Sequence, residues 1–233
     1  MLTNNQIKEI FGGDENHFAL IEYFLQNGCE VIYAENDGVL VCLAGVYALF
    51  GCTDEGMKNA LGVVDKLDCI VCSSEKESDF VLKKYSNITR KKACYQILYR
   101  DYASIPLPQN TEVKELLPND ENIDFVTKTY TLGFSREDIK RLMQNFTFYA
   151  TYTDGEISGY IGRHDEGSIG LLEIMPKFRR MGLGAFLVDY SIKMLKLKGE
   201  IAYCNIETKN EKSLAMHLKM GHTPSEKFVY WCV

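Results

Sequence analysis

Hydrophobic positions in the first half of the chain alternate between helical and strand-like spacing. Phe18, Ile21, Phe24 and Leu25 recur at a spacing that predicts a helix over residues 16–27. Apolar runs bounded by turn residues predict strands at CEVIYA, GVLVCLAG, DCIVCS and residues 90–100. Polar-rich periodic runs predict helices at TDEGMKNALGVVDKL, with Thr53 as N-cap, and at EKESDFVLKKYS. The first half therefore reads as an α/β domain.

A proline-containing break divides the chain. The segment YASIPLPQNTEV holds Pro106 and Pro108 and is typical of an extended linker. We therefore predict one domain at residues 1–110, with no role assigned to it, and a second at residues 111–233.

The second half predicts helix, helix, three strands, helix, strand, helix and strand. The first two helices are NIDFVTKTYTLGF and SREDIKRLMQNF, with Gly133 between them and a capping box at Ser135 and Asp138. The other elements are three strands within 146–176 with turns at 153–155 and 164–167, a helix to about residue 198, the strand IAYCNIE, a helix over 211–220 and the strand FVYWCV. This order predicts a mixed, mostly antiparallel sheet flanked by helices, the α+β type of α/β fold.

Composition and charge narrow the functional class. The chain has 233 residues, of which 46% are hydrophobic and 25% charged, so it can bury a core and is not disordered. No apolar run reaches about 18 residues, and the start resembles no secretory signal, so we expect a cytoplasmic protein that spans no membrane. The net charge of −6 lies entirely in residues 1–112. This balance argues against a nucleic-acid partner and places an anionic ligand more readily in the second half.

Eight cysteines raise the question of disulfides or a metal. Because the chain is long and core-rich, we interpret them as reduced thiols of a cytoplasmic protein. Cys69 and Cys72 form a C-x-x-C pair, but DCIVC is predicted as a strand, where positions three apart face opposite sides. A redox motif would instead open a helix, and zinc would require a second ligand pair, so we expect no metal.

One strand–turn–helix segment carries the chemistry. A predicted strand ends at Pro176, and a turn with Arg179 and Arg180 leads through Gly182 and Gly184 into a helix. The start of a helix has unpaired N–H groups and a positive dipole end, so such a turn can hold phosphate oxygens. A tight turn with no ligand is the alternative, since short glycine patterns are weak signals. The predicted apolar stripe of the helix is Leu183, Leu187, Tyr190, Met194 and Leu197, with Asp189, Lys193 and Lys196 off it.

The wider pattern adds specificity. The stretch Leu172-x-Ile174-x-Pro176-x-x-Arg179-x-x-Gly182-x-Gly184 resembles the acyl-CoA motif of the GNAT acyltransferase superfamily. Downstream, Asn210-x-x-Ser213-x-x-x-His217-x-Lys219-x-Gly221 resembles the second motif of that superfamily. The segments GSIGLLEIMPKFRRMGLG and GHTPSEKFVYW are most similar in sequence to the glycine N-acyltransferase-like branch of that superfamily. The resemblance covers residues 113–233, and one interpretation of the first half is a degenerate copy of the same fold.

The resemblance implies a set of coenzyme contacts. Backbone groups of Leu172 and Ile174 would bind the pantetheine arm. The pyrophosphate would be held at the turn, by Arg180, Met181, Gly182, Leu183, Gly184 and Ala185, with Arg179 adding charge. Asn210, with Ser213 in the same motif, would approach from the far side.

Catalytic roles follow less directly. The family usually has a tyrosine acid where this chain has His217, which could serve as the acid or could be a hydrogen-bonded packing histidine. For the base we favour Glu173, on the strand at the acyl site, over Glu166, which neighbours His164 in a turn that could be solvated. Some members of the family carry the base eleven positions before the motif arginine, but here that position is Ser168, so the comparison gives no base. Cys204 as an acyl-enzyme nucleophile is a further alternative.

We therefore expect an acetyl-CoA-dependent N-acetyltransferase that moves an acetyl group to a primary amine of a small molecule or peptide by direct attack. The alternative is a non-catalytic acyl-CoA-binding regulatory module. A tandem-fold aminoacyltransferase using charged tRNA and a nucleotide-binding protein are more distant alternatives. The expected partner is the acceptor amine, with no nucleic acid and no membrane, and a homodimer is compatible with the sequence.

Overall fold

A computed structural model describes residues 6–7, 14–130 and 133–233. The helices are α1 (Ala19–Gln26), α2 (Asp54–Gly62), α3 (Glu75–Lys84), α4 (Asp120–Thr129), α5 (Arg136–Asn145), α6 (Leu183–Leu197) and α7 (Glu211–Lys219). The strands are β1 (Glu30–Glu35), β2 (Gly38–Leu43), β3 (Val46–Phe50), β4 (Ile70–Cys72), β5 (Lys91–Tyr99), β6 (Thr111–Leu116), β7 (Phe148–Thr153), β8 (Glu156–Arg163), β9 (Ile169–Ile174), β10 (Ala202–Glu207) and β11 (Val229–Cys232). A short 3-10 helix lies at Pro176–Phe178.

The chain folds into two compact units. The first comprises Met1–Leu98 together with Tyr203–Val233, and the second comprises Tyr99–Ala202. The predicted ranges 1–110 and 111–233 do not coincide with these units, because the last strands of the chain pair with strands of the first half.

A seven-stranded sheet organises the first unit, in the order β1-β2-β3-β4-β11-β5-β10. β3 and β4 pair in parallel, whereas β1–β2–β3 and β4–β11–β5 are antiparallel. Its helices start where the sequence places caps, since Thr53 accepts from the Gly56 N–H and Ser74 forms a capping box with Glu77. A buried apolar cluster that includes Leu49, Leu61 and Val81 fills the unit.

A four-stranded antiparallel sheet, in the order β6-β7-β8-β9, organises the second unit. α6 packs on β7, β8 and β9, and α4 packs beside α5. The capping box at Ser135 and Asp138 is confirmed. The predicted mixed, mostly antiparallel α/β architecture is confirmed as well. Residues 131–132, which fall in a predicted helix, lie outside the described residues.

Two strands were not predicted. β6 lies at the end of the segment assigned to the linker, and its charged residues Glu112, Lys114 and Glu115 hide its pattern, since one face of this edge strand stays exposed. β3 follows β2 through Ala44 and Gly45, both in the left-handed backbone region. Alanine at the first of these positions gives no turn signal, so β2 and β3 look like one element.

The face of α6 also differs from the predicted stripe. Leu197 is 68% exposed, whereas Asp189 and Ser191, which the periodicity assigns to solvent or leaves out, are buried. Asp189 is covered by the linker, because its two carboxylate oxygens accept the Ala103 and Ile105 N–H groups. No helix within the described part of the chain is long and apolar enough to cross a membrane.

Candidate active site

The strand that precedes the glycine turn is an edge strand with a bulge. β9 lies at the edge of the four-stranded sheet, and its register with β8 shifts between the pairs Tyr160–Glu173 and Gly162–Gly170. The extra residue on β9 accompanies Leu171, whose φ of 47° is left-handed. A leucine gives no sequence signal for this conformation. The bulge breaks the regular pairing next to Leu172, where the pantetheine contact is predicted.

The turn after β9 ends in a helix start that no side chain caps. Arg180 and Gly182 both have left-handed backbones, with φ of 70° and 84°. Gly182 is the N-cap of α6, and the first turn of α6 contains no acidic residue. The Phe186 N–H makes the first helical bond, to the Gly182 carbonyl at 3.0 Å. The preceding N–H groups of α6 are therefore the ones that a helix leaves for an external acceptor.

Charge and exposure at the turn suit an anionic ligand. Arg179, Arg180, Met181 and Gly182 are all exposed, while Leu183 is buried and anchors the helix. The other helices of this unit start differently, with Asn119 capping α4 and Ser135 capping α5, each with acidic residues in the first turn. Diphosphate oxygens fit a positive, side-chain-free helix start, so the residues at 180–185 are compatible with the predicted coenzyme.

Arg179 and Glu173, to which the sequence assigns separate roles, contact each other. The Arg179 guanidinium donates from Nη2 to Glu173 Oε1 at 3.1 Å and from Nε to the Ile174 carbonyl at 3.0 Å. The Arg179 side chain is 58% exposed and that of Glu173 is 21% exposed. The proposed base therefore carries a cationic partner, and the backbone oxygen of Ile174 is occupied by the same side chain.

Two tyrosines surround the same carboxylate. Tyr160 lies opposite Glu173 in the β8–β9 pairing, and its hydroxyl is 2.9 Å from Thr129 Oγ1. Burial raises the pKa of Tyr130 to about 12, and the negative charge of Glu173 acts in the same direction. Burial also raises the pKa of Tyr160, with Thr129 opposing through its hydrogen bond and Glu173 reinforcing. Both phenols are therefore neutral across the physiological range, and both were missed by sequence reasoning.

Glu166 is buried rather than solvated. It is 5% exposed, and its Oε1 accepts a short hydrogen bond from the Ser168 hydroxyl. The turn closes through the Gly167 N–H and the His164 carbonyl, at 2.8 Å. The His164 ring lies so close to Gly170 that a Cβ there would approach Nε2 to 2.2 Å. The solvated-turn alternative is therefore wrong for Glu166, and its catalytic role stays a prediction.

The second predicted motif lies in the first unit. Asn210 is the N-cap of α7, because its Oδ1 accepts the Ser213 N–H at 3.2 Å. The amide oxygen of Asn210 thus has a structural task at the start of α7. The coenzyme contacts predicted for Asn210 and Ser213 stay predictions.

His217 faces the interior of its unit. It is 4% exposed, and its Nδ1 lies 3.1 Å from Nδ1 of His222. Burial, and to a lesser extent His222, lowers the pKa of His217 from 6.5 to about 4. The ring is therefore neutral at physiological pH. Leu218, the next residue of α7, is instead 52% exposed.

Comparison with known proteins identifies this arrangement. Residues 111–222 match the family model described as acetyltransferase (GNAT) family. This part of the chain is similar to a GNAT acetyltransferase domain. The match contains β9, the glycine turn, α6 and α7, and so includes both motifs found in the sequence.

Solved structures show a likeness of fold that extends beyond the matched residues. A Drosophila protein has a TM-score of 0.69 at 14% identity, covering 100% of this chain and 97% of that one. A GCN5-related N-acetyltransferase-like protein from Streptococcus suis has a TM-score of 0.58 at 12% identity, covering 98% and 97%. A GCN5-related N-acetyltransferase from Kribbella flavida has a TM-score of 0.59 at 10% identity, covering 93% of each chain. These identities show a shared fold alone.

Two of the cysteines considered in the sequence are buried in strands of the first unit. Cys204 is buried in β10 at 3% exposure, and Cys72 is fully buried in β4, which confirms the strand predicted for the C-x-x-C segment. Among the described residues, no group of three or more His, Cys, Asp or Glu side chains is arranged to hold a metal ion.

Proposed function

We propose that the protein is an acetyl-CoA-dependent N-acetyltransferase that acts on a primary amine of a small molecule or peptide by direct attack on the thioester. The observation that carries the proposal is the helix start of α6, uncapped, free of acidic residues and flanked by Arg179 and Arg180. The match of residues 111–222 to the GNAT acetyltransferase family supports acyl transfer in general.

The coenzyme would bind through the backbone of the second unit. The N–H groups at Arg180–Ala185 would donate hydrogen bonds to the diphosphate oxygens, because Gly182 places no side chain over the helix start. The bulged edge of β9 would offer backbone groups of Leu172 and Ile174 to the pantetheine arm. A flexible polyanion suits a receptor made of N–H groups and guanidinium donors.

Glu173 is the proposed base. Aminolysis of a thioester needs a neutral amine, and an acceptor that arrives as an ammonium ion must first lose a proton. Glu173 is a half-buried carboxylate on the strand at the acyl site, with the neutral phenols of Tyr130 and Tyr160 nearby. The leaving thiolate needs a hydrogen-bond donor, for which His217 would act as a neutral imidazole rather than as an imidazolium ion.

One observation favours the alternative of a non-catalytic acyl-CoA-binding module. His217 stands where the family usually has a tyrosine, and it is buried against His222. A neutral imidazole gives up its proton much less readily than a phenol does. A chain that binds the coenzyme without turnover would fit this arrangement.

A thiol-release assay with acetyl-CoA tests the proposal. The acceptor panel should contain amines, polyamines, peptides and amino acids, with glycine included to probe the glycine N-acyltransferase-like branch. Glu173→Gln should lower kcat by about 100-fold or more, the usual effect of losing a general base. Glu156→Gln, which removes an exposed carboxylate paired with Lys177, is the matched control and should keep full activity.

The outcomes separate the candidates. Release of thiol that depends on an amine and on Glu173 supports the enzyme, and a further loss in His217→Phe would assign that residue a part in turnover. Tight coenzyme binding without release with any amine would support the regulatory module. Full turnover in both Glu173→Gln and His217→Phe would show that the assigned roles are wrong.

A further inference from the structure

The Arg179 guanidinium donates two hydrogen bonds to β9, the strand that precedes the turn in which Arg179 lies. Nε holds the Ile174 carbonyl and Nη2 holds the Glu173 carboxylate. Arg179 lies three residues before Gly182, at the beginning of the turn that starts α6. One cation thus stands next to two groups with separate tasks in the proposed reaction, the base and a strand carbonyl assigned to the pantetheine.

We propose that Arg179 is a positioning residue exchanged between Glu173 and the coenzyme diphosphate, so that coenzyme binding releases the base. The inference rests on the proposed function and adds an order of events to it, in which the coenzyme binds before Glu173 becomes available as the base. Without coenzyme the guanidinium neutralises Glu173 and occupies Ile174. With coenzyme the guanidinium moves to phosphate, which frees the Glu173 carboxylate for the amine proton and the Ile174 carbonyl for the pantetheine arm.

The exposure and the contacts of Arg179 favour such an exchange. The Arg179 side chain is more than half exposed, so it can reorient without disturbing the core. An exposed ion pair is weakly held, whereas guanidinium and phosphate form strong bidentate contacts. Arg179 therefore loses little by leaving Glu173 and gains a dianionic partner.

The groups that face Glu173 determine how the carboxylate changes when the Arg179 guanidinium moves away. Arg179 faces it from the turn, Tyr130 from the end of α4, and Tyr160 from β8. The two phenols are neutral, so Arg179 is the cation among these three groups, at 3.1 Å from the carboxylate. When the guanidinium leaves, the carboxylate loses its ion-pair partner, and its Oε1 is free to contact the incoming amine.

A double-mutant cycle on coenzyme affinity tests the exchange without an activity assay. Coenzyme A binding is measured by isothermal titration calorimetry for the wild-type chain, Glu173→Gln, Arg179→Gln and the double variant. Because Glu173 competes with the coenzyme for Arg179, Glu173→Gln should tighten binding by about two- to fivefold, the range of an exposed ion pair. In the Arg179→Gln background the same substitution should leave the affinity unchanged.

Arg180→Gln provides the matched control. It also removes a guanidinium from the turn, yet Glu173→Gln should still tighten binding in that background by the same factor. The tightening should diminish at high ionic strength, since salt screens exposed charges.

The results distinguish the two levels of inference. A wild-type chain that does not bind coenzyme A would overturn the proposed function, and the exchange with it. A chain that binds the coenzyme, but whose affinity is unchanged or weakened by Glu173→Gln, would overturn the exchange alone. Equal tightening in the Arg179→Gln background would also overturn it, because the effect would then be general repulsion between Glu173 and phosphate.

Discussion

At the scale of single residues, Gly182 carries the sharpest test of the phosphate site. Its φ is 84°, and a Cβ at this position would meet nothing within 4 Å. Gly182→Ala should therefore lower the free energy of unfolding by about 1 kcal/mol through backbone strain, without a clash. Because the strain falls on the N-cap of α6, we also expect weaker coenzyme binding, measured by calorimetry alongside urea unfolding.

Gly199 gives a matched control at the other end of the same helix. Its φ is 71°, and a Cβ there also meets nothing within 4 Å. Gly199→Ala should reduce stability by a similar amount and leave the coenzyme affinity unchanged. Equal affinities for the two variants would contradict the assignment of the diphosphate to the helix start.

His217 predicts a pH dependence of stability. Its pKa is lowered from 6.5 to about 4 in the folded chain, so the unfolded chain binds more protons between these values. The contribution of His217 to stability is present above pH 6.5 and is lost as the pH falls toward 4. Between pH 7 and pH 4.5 the loss should amount to about 2 to 3 kcal/mol.

Urea unfolding at both pH values, on the wild-type chain and on His217→Gln, measures this loss. The glutamine variant does not titrate, so its stability should fall less on acidification, whatever its stability at pH 7. Parallel losses in the two proteins would show that His217 is not held neutral by its surroundings.

At the scale of elements, the sequence predicts those features of helices and turns that depend on residue types close together in the chain. The capping box of Ser135 and Asp138 and the glycine turn before α6 follow from residue types at fixed spacing. The bulge at Leu171 and the turn at Ala44 could not be predicted, because neither residue favours a left-handed backbone. The contact of Arg179 with Glu173 depends on how the turn folds back on β9, which spacing alone does not give.

Asp189 is buried on α6 although it lies outside the apolar stripe that the hydrophobic spacing predicts. It is 3% exposed and accepts the N–H groups of Ala103 and Ile105, on either side of Ser104, whose φ is 56°. Asp189→Ala should therefore lower the free energy of unfolding by about 2 to 3 kcal/mol, since charged hydrogen-bond acceptors are lost. Cleavage by trypsin after Arg100 should become faster, because the linker is no longer tied to α6.

Lys193→Ala is the control for this prediction. Lys193 contacts the same linker through the ring of Tyr102, with Nζ 5.8 Å from the ring centroid, but it is exposed. Its loss should change stability by less than about 1 kcal/mol. If Asp189→Ala unfolds like Lys193→Ala, the carboxylate does not hold the linker.

At the scale of the whole molecule, the predicted boundary near residue 110 lies between two stretches of chain that belong to the same unit, Met1–Leu98 and Tyr203–Val233. Pro106 and Pro108 mark a real break in secondary structure, and the GNAT match begins at residue 111. The pairing of β11 between β4 and β5 is a contact of long sequence separation, for which hydrophobic pattern gives no signal. A linker in the sequence is therefore not a boundary in the packing of the first unit.

This arrangement predicts that the first unit depends on the end of the chain. Val229 in β11 is fully buried, so Val229→Asp should lower the stability of the unit by about 3 to 5 kcal/mol, the effect of an unpaired buried charge. Trp231, the only tryptophan in the chain, lies in the same strand and reports the unfolding by fluorescence. Val63→Asp places the same charge on a side chain that is 67% exposed and should leave the urea midpoint nearly unchanged.

The dependence on β11 also predicts the behaviour of a fragment. A fragment of residues 1–110 should show no cooperative melting in circular dichroism, because β4 and β5 lose the strand between them. A fragment that melts cooperatively at the temperature of the full chain would show that β11 is dispensable and that the linker does divide two independent folding units.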